Sequence, residues 1–391
     1  MPGPLHGYSV LDFGRFQLGP LAGVWLSDLG ADVIKLESRQ GDPVRGSHPA
    51  AAAIVTAHNR GKRSIAVDLQ TPEGREVALR LASRVDILTH NFRIGVMERL
   101  GLGYEDVSKV NKGIVYAGAS AFGPKGPRAL EPGNDTIGQA SGGLAFSTGV
   151  AGGSPLPAGA AISDSVGAYA LVAGVLAALL ERNRSGCGQV VDVSLYGTQI
   201  ALQSWETGYC SITKQLPVRN GGYPYLSGYG IYPTSDGFIA IGGLNDKQFP
   251  VMCRIINREE LVARWPTAQD RLKDLPEVTA ILVEATRQKP TAYWLEVMRA
   301  ADLVVSTVQS YADILADEQA RENGYVIELE HELPGTYLGA GSPWTFSRTA
   351  VAPGTRAPEL GAHTEEILLE CGYSWSDIGR LRDENVIGAE L

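Results

Sequence analysis

Short apolar runs alternate with amphipathic stretches through the N-terminal half of the chain, and that order predicts strands separated by helices. Residues 8–13 (YSVLDF) read as a buried strand, 21–29 as a helix that Gly30 stops, and 31–37 (ADVIKLE) as a second strand. Such a βαβ unit favours a parallel sheet with a right-handed crossover. Further strands are expected at 64–68, 85–88, 113–120 and 190–195. Thr71, Pro72 and Glu73 open a helix with a cap, a proline in the first turn and an acid at the N-terminus. The most apolar helix starts at Asp164, runs through 169–180 and ends in Glu181, Arg182 and Arg184 before Ser185, Gly186 and Gly188. It falls short of a membrane span and is expected to be a buried core helix. A helix is expected at 196–211. The texture then changes. Residues 216–230, rich in Gly, Pro and Tyr, read as a linker or an active-site loop, and 231–243 as a hairpin turning at Ser-Asp-Gly. A helix at 248–256 and amphipathic helix to 315 complete a smaller α/β domain. A strand-rich tail and a last helix, 363–371, follow.

Composition narrows the function classes. The 391 residues carry a formal net charge of −9, spread along the chain, which argues against a nucleic-acid partner and against a membrane surface. The four cysteines are far apart, with no CxxC and no Cys/His cluster, so neither a disulfide framework nor a metal site is expected. No basic, apolar leader opens the sequence, and a cytoplasmic location is expected.

The candidate chemistry sits at the predicted strand ends. The loop after the first strand, GRFQLGP, lacks the GxGxxG spacing of a pyrophosphate loop. Glu37 ends the second strand where a ribose-binding acid would sit, but without those glycines a nicotinamide cofactor is not expected. Asn91 and Phe92 follow the strand at 85–88, where ligands of doubly wound sheets gather, and can hold a planar ring by a hydrogen bond and a stack. Arg93 and Arg99 come next; their ordinary reading is a solvated helix face. Residues 122–163 are rich in Gly, Pro, Ala and Ser around one short helix at 136–141, and a loop region of this length is functional or mobile. It leads to Asp164. A carboxylate there meets free helix N–H groups, so its bland reading is an N-cap and its sharper one a nucleophile kept ionised by those groups.

These blocks, taken in order, resemble the family III CoA-transferases of the CaiB/BaiF type, the group of formyl-CoA transferase and carnitine CoA-transferase. The resemblance rests on VLDFGRFQLGP, LGADVIKLE, NRGKRSIAVDLQTPEGR, the Asn91-Phe92 pair, GNDTIGQASGG, ISDSVG…AGVLAALLERNRSGCGQVVDVSL and GSPWTFSRT…APELGAHTEEIL. It implies an α/β chain with a Rossmann-like large domain (1–222), a small domain (223–322) and a C-terminal return to the large domain (323–391), in an interlocked homodimer. It implies CoA transfer from an acyl-CoA to a free carboxylic acid, with coenzyme A and acyl-CoA as substrates and no permanently bound cofactor. Asp164 falls on the family's nucleophile and Gln17 on its active-site loop. Asn91, Phe92 and Arg99 match positions around the CoA adenine and phosphates, and Arg39 and Arg75 are further phosphate candidates. Two departures matter. The glycine run that closes formyl-CoA transferase sites reads PYLSGYGIY here, and the Gly-His-Asp of related racemases reads Gly133-Asn134-Asp135. Asn134 cannot shuttle a proton, which disfavours racemisation; Asp135 reads as a helix cap or a supporting carboxylate. A racemase or epimerase, and a non-catalytic CoA-thioester binding subunit, remain the alternatives. Tyr223, Tyr225, Tyr229 and Tyr232 hint at a sizeable or partly aromatic acyl pocket.

Overall fold

Neighbouring residues in each of the first strands go to two different cores. Val10, Val33, Ile87 and Val115 join one apolar cluster, and Leu11, Ile34, Leu88 and Tyr116 the other. A strand buried on both faces must be apolar at successive positions, which is why these segments read as continuous hydrophobic runs. The computed structural model describes residues 2–46, 49–150, 152–216, 219, 226–332 and 335–389. In chain order it contains β1 (Ser9–Asp12), α1 (Leu18–Asp28), β2 (Asp32–Glu37), α2 (Pro49–Asn59), β3 (Arg63–Ala66), α3 (Pro72–Ala82), β4 (Ile87–His90), α4 (Val96–Arg99), α5 (Tyr104–Val110), β5 (Val115–Ser120), α6 (Asp135–Ser141), α7 (Leu144–Ser147), α8 (Ile162–Ser185), β6 (Gln189–Ser194), α9 (Leu195–Leu202) and α10 (Ser204–Thr213). The six strands pair in parallel in the order β3-β2-β1-β4-β5-β6. This is the doubly wound arrangement, with its change of winding direction between β1 and β4.

One face carries α1 and α8, the other α3 and α5. α8 is the longest helix among the described residues, with 24 residues, and it starts two residues before Asp164. It packs on α1, α6, α9, β5 and β6. Gly167 lets α1 come this close, since a Cβ there would stand 2.5 Å from Leu18 Cδ1. α2 went unread in the sequence, and α1 starts earlier than expected because Pro20 lies in its first turn, where the missing N–H costs nothing. The Thr71 cap of α3 is as expected, its hydroxyl accepting from Gly74 N at 3.0 Å.

The chain divides into two compact units, residues 1–143, 158–204 and 317–391 in one and 144–157 with 205–316 in the other. The second unit has its own apolar core around Trp265, Phe249, Met252 and Trp294. It contains the expected hairpin, β7 (Tyr229–Pro233) and β8 (Phe238–Gly242). Tyr232 belongs to that core, 3% exposed, so it forms no part of an acyl pocket. Tyr223 and Tyr225 lie outside the described residues, and so does the expected boundary at 222–223. In the first unit the C-terminal tail lays Ile367, Leu368, Ile378 and Leu381 on the α3–α5 face of the sheet. Its last helix is 375–383, beyond the one expected at 363–371, and is fixed by a Ser374–Asp377 capping box.

Candidate active site

The C-terminal ends of all six strands open into one cleft of about 1270 Å³ inside the first unit. Phe13 follows β1, Ser38 β2, Asp68 β3, Phe92 β4 and Ala121 β5, and Leu195 follows β6; all line it. Ligands of open α/β sheets bind at this edge. Gln17 and Asp164 line the same cleft, with Asn134 and Asp135 beside them.

Asp164 is not an N-cap. Ala161 occupies the cap position of α8, which puts Asp164 third in the helix, and the helix has no side-chain cap of its own. The acceptor for its free N–H groups is Asp135: Oδ1 accepts from Ser163 N at 2.7 Å and Asp164 N at 3.3 Å. Asp135 Oδ2 accepts from Gln139 Nε2 at 2.6 Å, and the buried Gln139 also accepts from Ala158 N at 2.8 Å. Nor does Asp135 cap its own helix; Asn134 does, accepting from Ile137 N at 3.2 Å. A short helix, α6, thus holds the start of the long one through a carboxylate. The consequence reverses the sequence-based expectation. Asp135 consumes the donors that would have kept Asp164 ionised, and burial first, then the Asp135 charge, push the Asp164 carboxyl up to about 6.

Gln17 is the N-cap residue of α1, and its Nε2 donates to Ser165 Oγ at 3.1 Å, one residue past Asp164. The segment before it is tied down atom by atom. Gly14 N donates to Asp12 Oδ1 at 2.7 Å, and Lys35 Nζ donates to Gly14 O at 2.7 Å. Asn91 grips both backbone groups of Arg15, accepting from its N–H at 2.8 Å and donating to its carbonyl at 2.7 Å. Asn91 therefore clamps the loop with the amide that was expected to meet a ligand ring. Below lies the buried pair Lys62–Asp12 at 2.7 Å. Burial pushes Lys62 down to about 8 despite Asp12, whereas Lys62 and Lys35 together hold the Asp12 carboxyl below its usual range against the pull of burial. Glu37, at the dinucleotide-acid position, is spent on a two-pronged pair with Arg45, both bonds 2.7 Å.

The remaining expected ligand residues divide. Phe92 lines the cleft with the Arg15 guanidinium 5.1 Å from its ring centre and the His90 ring stacked 6.2 Å away. Burial alone pushes His90 down to about 4, so it is a neutral packing group. Arg99 lines the cleft, and no carboxylate among the described residues pairs with it. Arg75 lines it too, its guanidinium bonded to the carbonyls of Leu69 at 3.1 Å and Gln70 at 2.8 Å. Arg39 does not. It turns to the C-terminal tail, donating to Gly388 O and Asn385 Oδ1, each at 3.2 Å. Arg15 and Arg93 line the cleft instead. Their positions directly after β1 and β4 were the signal that could have found them.

Known proteins place this architecture. The model of CoA-transferase family III matches residues 5–364. A mouse succinyl-CoA:glutarate CoA-transferase is 32% identical over 375 residues, covering 94% of this chain and 86% of its own. A succinyl-CoA:mesaconate CoA-transferase of Haloarcula marismortui is 32% identical over 401 residues, covering 98% and 99%. Among solved structures, a CaiB/BaiF family protein from Brucella suis superposes with a TM-score of 0.84 at 32% identity, covering 95% of this chain and all of that one.

Proposed function

This chain belongs to CoA-transferase family III and is a CoA-transferase, and we propose that it transfers CoA through the Asp164 carboxylate as nucleophile. The observation that carries the reading is a half-buried carboxylate at the start of α8, in the cleft at the strand ends, raised to about 6 and still ionised at neutral pH. Asp164 attacks the thioester carbonyl of the donor. The C–S bond breaks, leaving an acyl–aspartyl anhydride and the CoA thiolate. The thiolate attacks the Asp164 carbonyl, forming an aspartyl-CoA thioester and releasing the donor acid as a carboxylate. The acceptor carboxylate attacks that thioester, giving a second anhydride and the thiolate again, which takes the acceptor's acyl group and frees Asp164. No net proton or electron is consumed.

Gln17 orients the thioester. Its amide nitrogen carries two hydrogens and spends one on Ser165, leaving one for the carbonyl oxygen on which charge develops. Phe92 supplies a face for the adenine, and Arg99, Arg75, Arg15 and Arg93 supply positive charge for the phosphates at the cleft edge. That remote binding energy holds the thioester in place for attack. Asp135 serves by holding the start of α8, its oxygens accepting from Gln139 Nε2 and Ser163 N. The two similar enzymes are named for succinyl-CoA with glutarate or mesaconate, which supports short dicarboxylic acids as donor and acceptor acids here. The outer edge of β6, which has no strand partner among the described residues, and the exposed apolar side chains of α8 and α9 support the interlocked homodimer.

The test is chemical. The protein is incubated with succinyl-CoA and hydroxylamine, digested and analysed by mass spectrometry. The expected product is a hydroxamate on Asp164, with CoA transfer to glutarate in a parallel assay. An Asp164→Ala variant that exchanged CoA at the wild-type rate would sink the mechanism.

A further inference from the structure

Phe16 stands immediately before Gln17 in an unusual state. Its φ is +61°, in the left-handed region that residues with a Cβ avoid, and its side chain is 56% exposed. Packing of the phenyl ring therefore does not hold it there. The backbone N–H does: it donates to the two oxygens of Asp42 at 3.3 and 3.1 Å. Asp42 is itself 3% exposed. It is anchored by Lys35 Nζ at 3.2 Å and by Val44 N at 3.2 Å. The same Lys35 nitrogen reaches Gly14 O at 2.7 Å. One buried lysine–aspartate pair therefore grips residues 14 and 16, Asn91 grips residue 15 between them, and the chain leaves this grip at Gln17.

We propose that Asp42 is a positioning residue for CoA transfer: its carboxylate fixes Phe16 in the left-handed conformation and thereby aims Gln17 at the nucleophile. The inference rests on the reading that Gln17 orients the thioester. Without the Asp42 acceptor, residue 16 relaxes to negative φ, the direction in which the chain enters α1 changes, and the Gln17 amide leaves Ser165. A displacement of about 1 Å at a reacting group lowers a rate by about 100-fold.

The experiment is a double-mutant cycle on the full-length protein, read as kcat and KM for succinyl-CoA, with thermal melts of every variant. Asp42→Ala removes both acceptor oxygens together with the charge. Because it also leaves Lys35 without a counter-charge, Phe16→Pro is made in parallel: proline cannot take positive φ and has no N–H, and position 16 is exposed. Each is expected to lower kcat by about 10- to 100-fold with KM little changed. Combined with Gln17→Ala, neither is expected to slow the enzyme beyond Gln17→Ala alone, since residues that act as a unit are not additive. If the losses multiply instead, Asp42 is structural and the inference falls. It also falls if Gln17→Ala is slow while Asp42→Ala and Phe16→Pro keep the wild-type kcat; the role of Gln17 then stands. If Gln17→Ala itself runs at the wild-type rate, both fall together. Should Asp42→Ala fail to fold, the Phe16→Pro cycle decides by the same criteria.

Discussion

Asp164 is poised by what surrounds it rather than by what binds it. Burial and the Asp135 charge raise its carboxyl to about 6, which makes the carboxylate more basic and more nucleophilic while leaving it mostly ionised at neutral pH. The rate should follow. kcat/KM for the acyl-CoA is expected to fall about tenfold per pH unit below pH 6, where an ordinary aspartate would hold the rate level to about pH 4; a pH–rate profile decides between them. Stability runs the other way. The folded state holds this proton more tightly than the unfolded one, so folding stability declines as pH rises from about 4 to about 6, and the whole cost is present above that. Asp164→Asn is therefore expected to abolish transfer yet stabilise the fold at pH 7 by about 1 kcal/mol, after discounting for solvent in the open cleft. Melts of the two proteins should converge below pH 4. Arg99 lines the cleft and pairs with no carboxylate among the described residues. Arg99→Ala should raise KM for acyl-CoA about tenfold, the loss of one charge-assisted hydrogen bond, with kcat nearly unchanged.

At the scale of elements, the site is the start of one helix held by another. Asp135 gives α8 the acceptor it lacks, and in doing so sets the charge environment of Asp164. Asp135→Ala has two separable effects. Losing the acceptor should cost about 1–2 kcal/mol in a thermal or urea melt, as for other N-terminal caps. Losing the like charge should move the acid limb of the pH–rate profile to lower pH, since one cause of the raised carboxyl is gone. A melt shift with an unmoved acid limb would leave Asp135 a cap alone. None of this was readable from ISDSVG, because the capping carboxylate comes from another helix, 29 residues earlier in sequence. What the sequence did carry was the sheet: strands buried on both faces leave apolar runs that no surface segment imitates. α2 left no such trace, since an alanine-rich stretch has no polar period to count. The directions of the arginines were equally hidden. Arg39 and Arg15 differ in which way the chain turns beyond a strand, and residue type says nothing about that.

For the whole molecule, the surface of the first unit poses the remaining question. More than half of the apolar stretch of α8 is not buried within one chain. Leu180 is 67% exposed, and Tyr169, Val190, Ile200 and Leu202 also face solvent from α8, β6 and α9. β6 ends the sheet with its outer backbone groups unpaired among the described residues. Single apolar side chains at a surface are ordinary, but a run of them across three consecutive elements beside an open strand edge is what the proposed second copy would cover. A second copy there is the interlocked homodimer proposed above, and interlocking makes a prediction that simple docking does not. Light scattering should give twice the 41.6 kDa chain mass, and that mass should persist on dilution. Tagged and untagged dimers mixed under native conditions should yield no hybrid by native mass spectrometry after days, because threaded chains cannot part without unfolding. The same mixture, denatured and refolded together, should yield hybrids in the statistical proportion. Hybrids forming under native conditions would mean two chains that dock face to face, and a fully active monomer would remove the second copy from the site altogether.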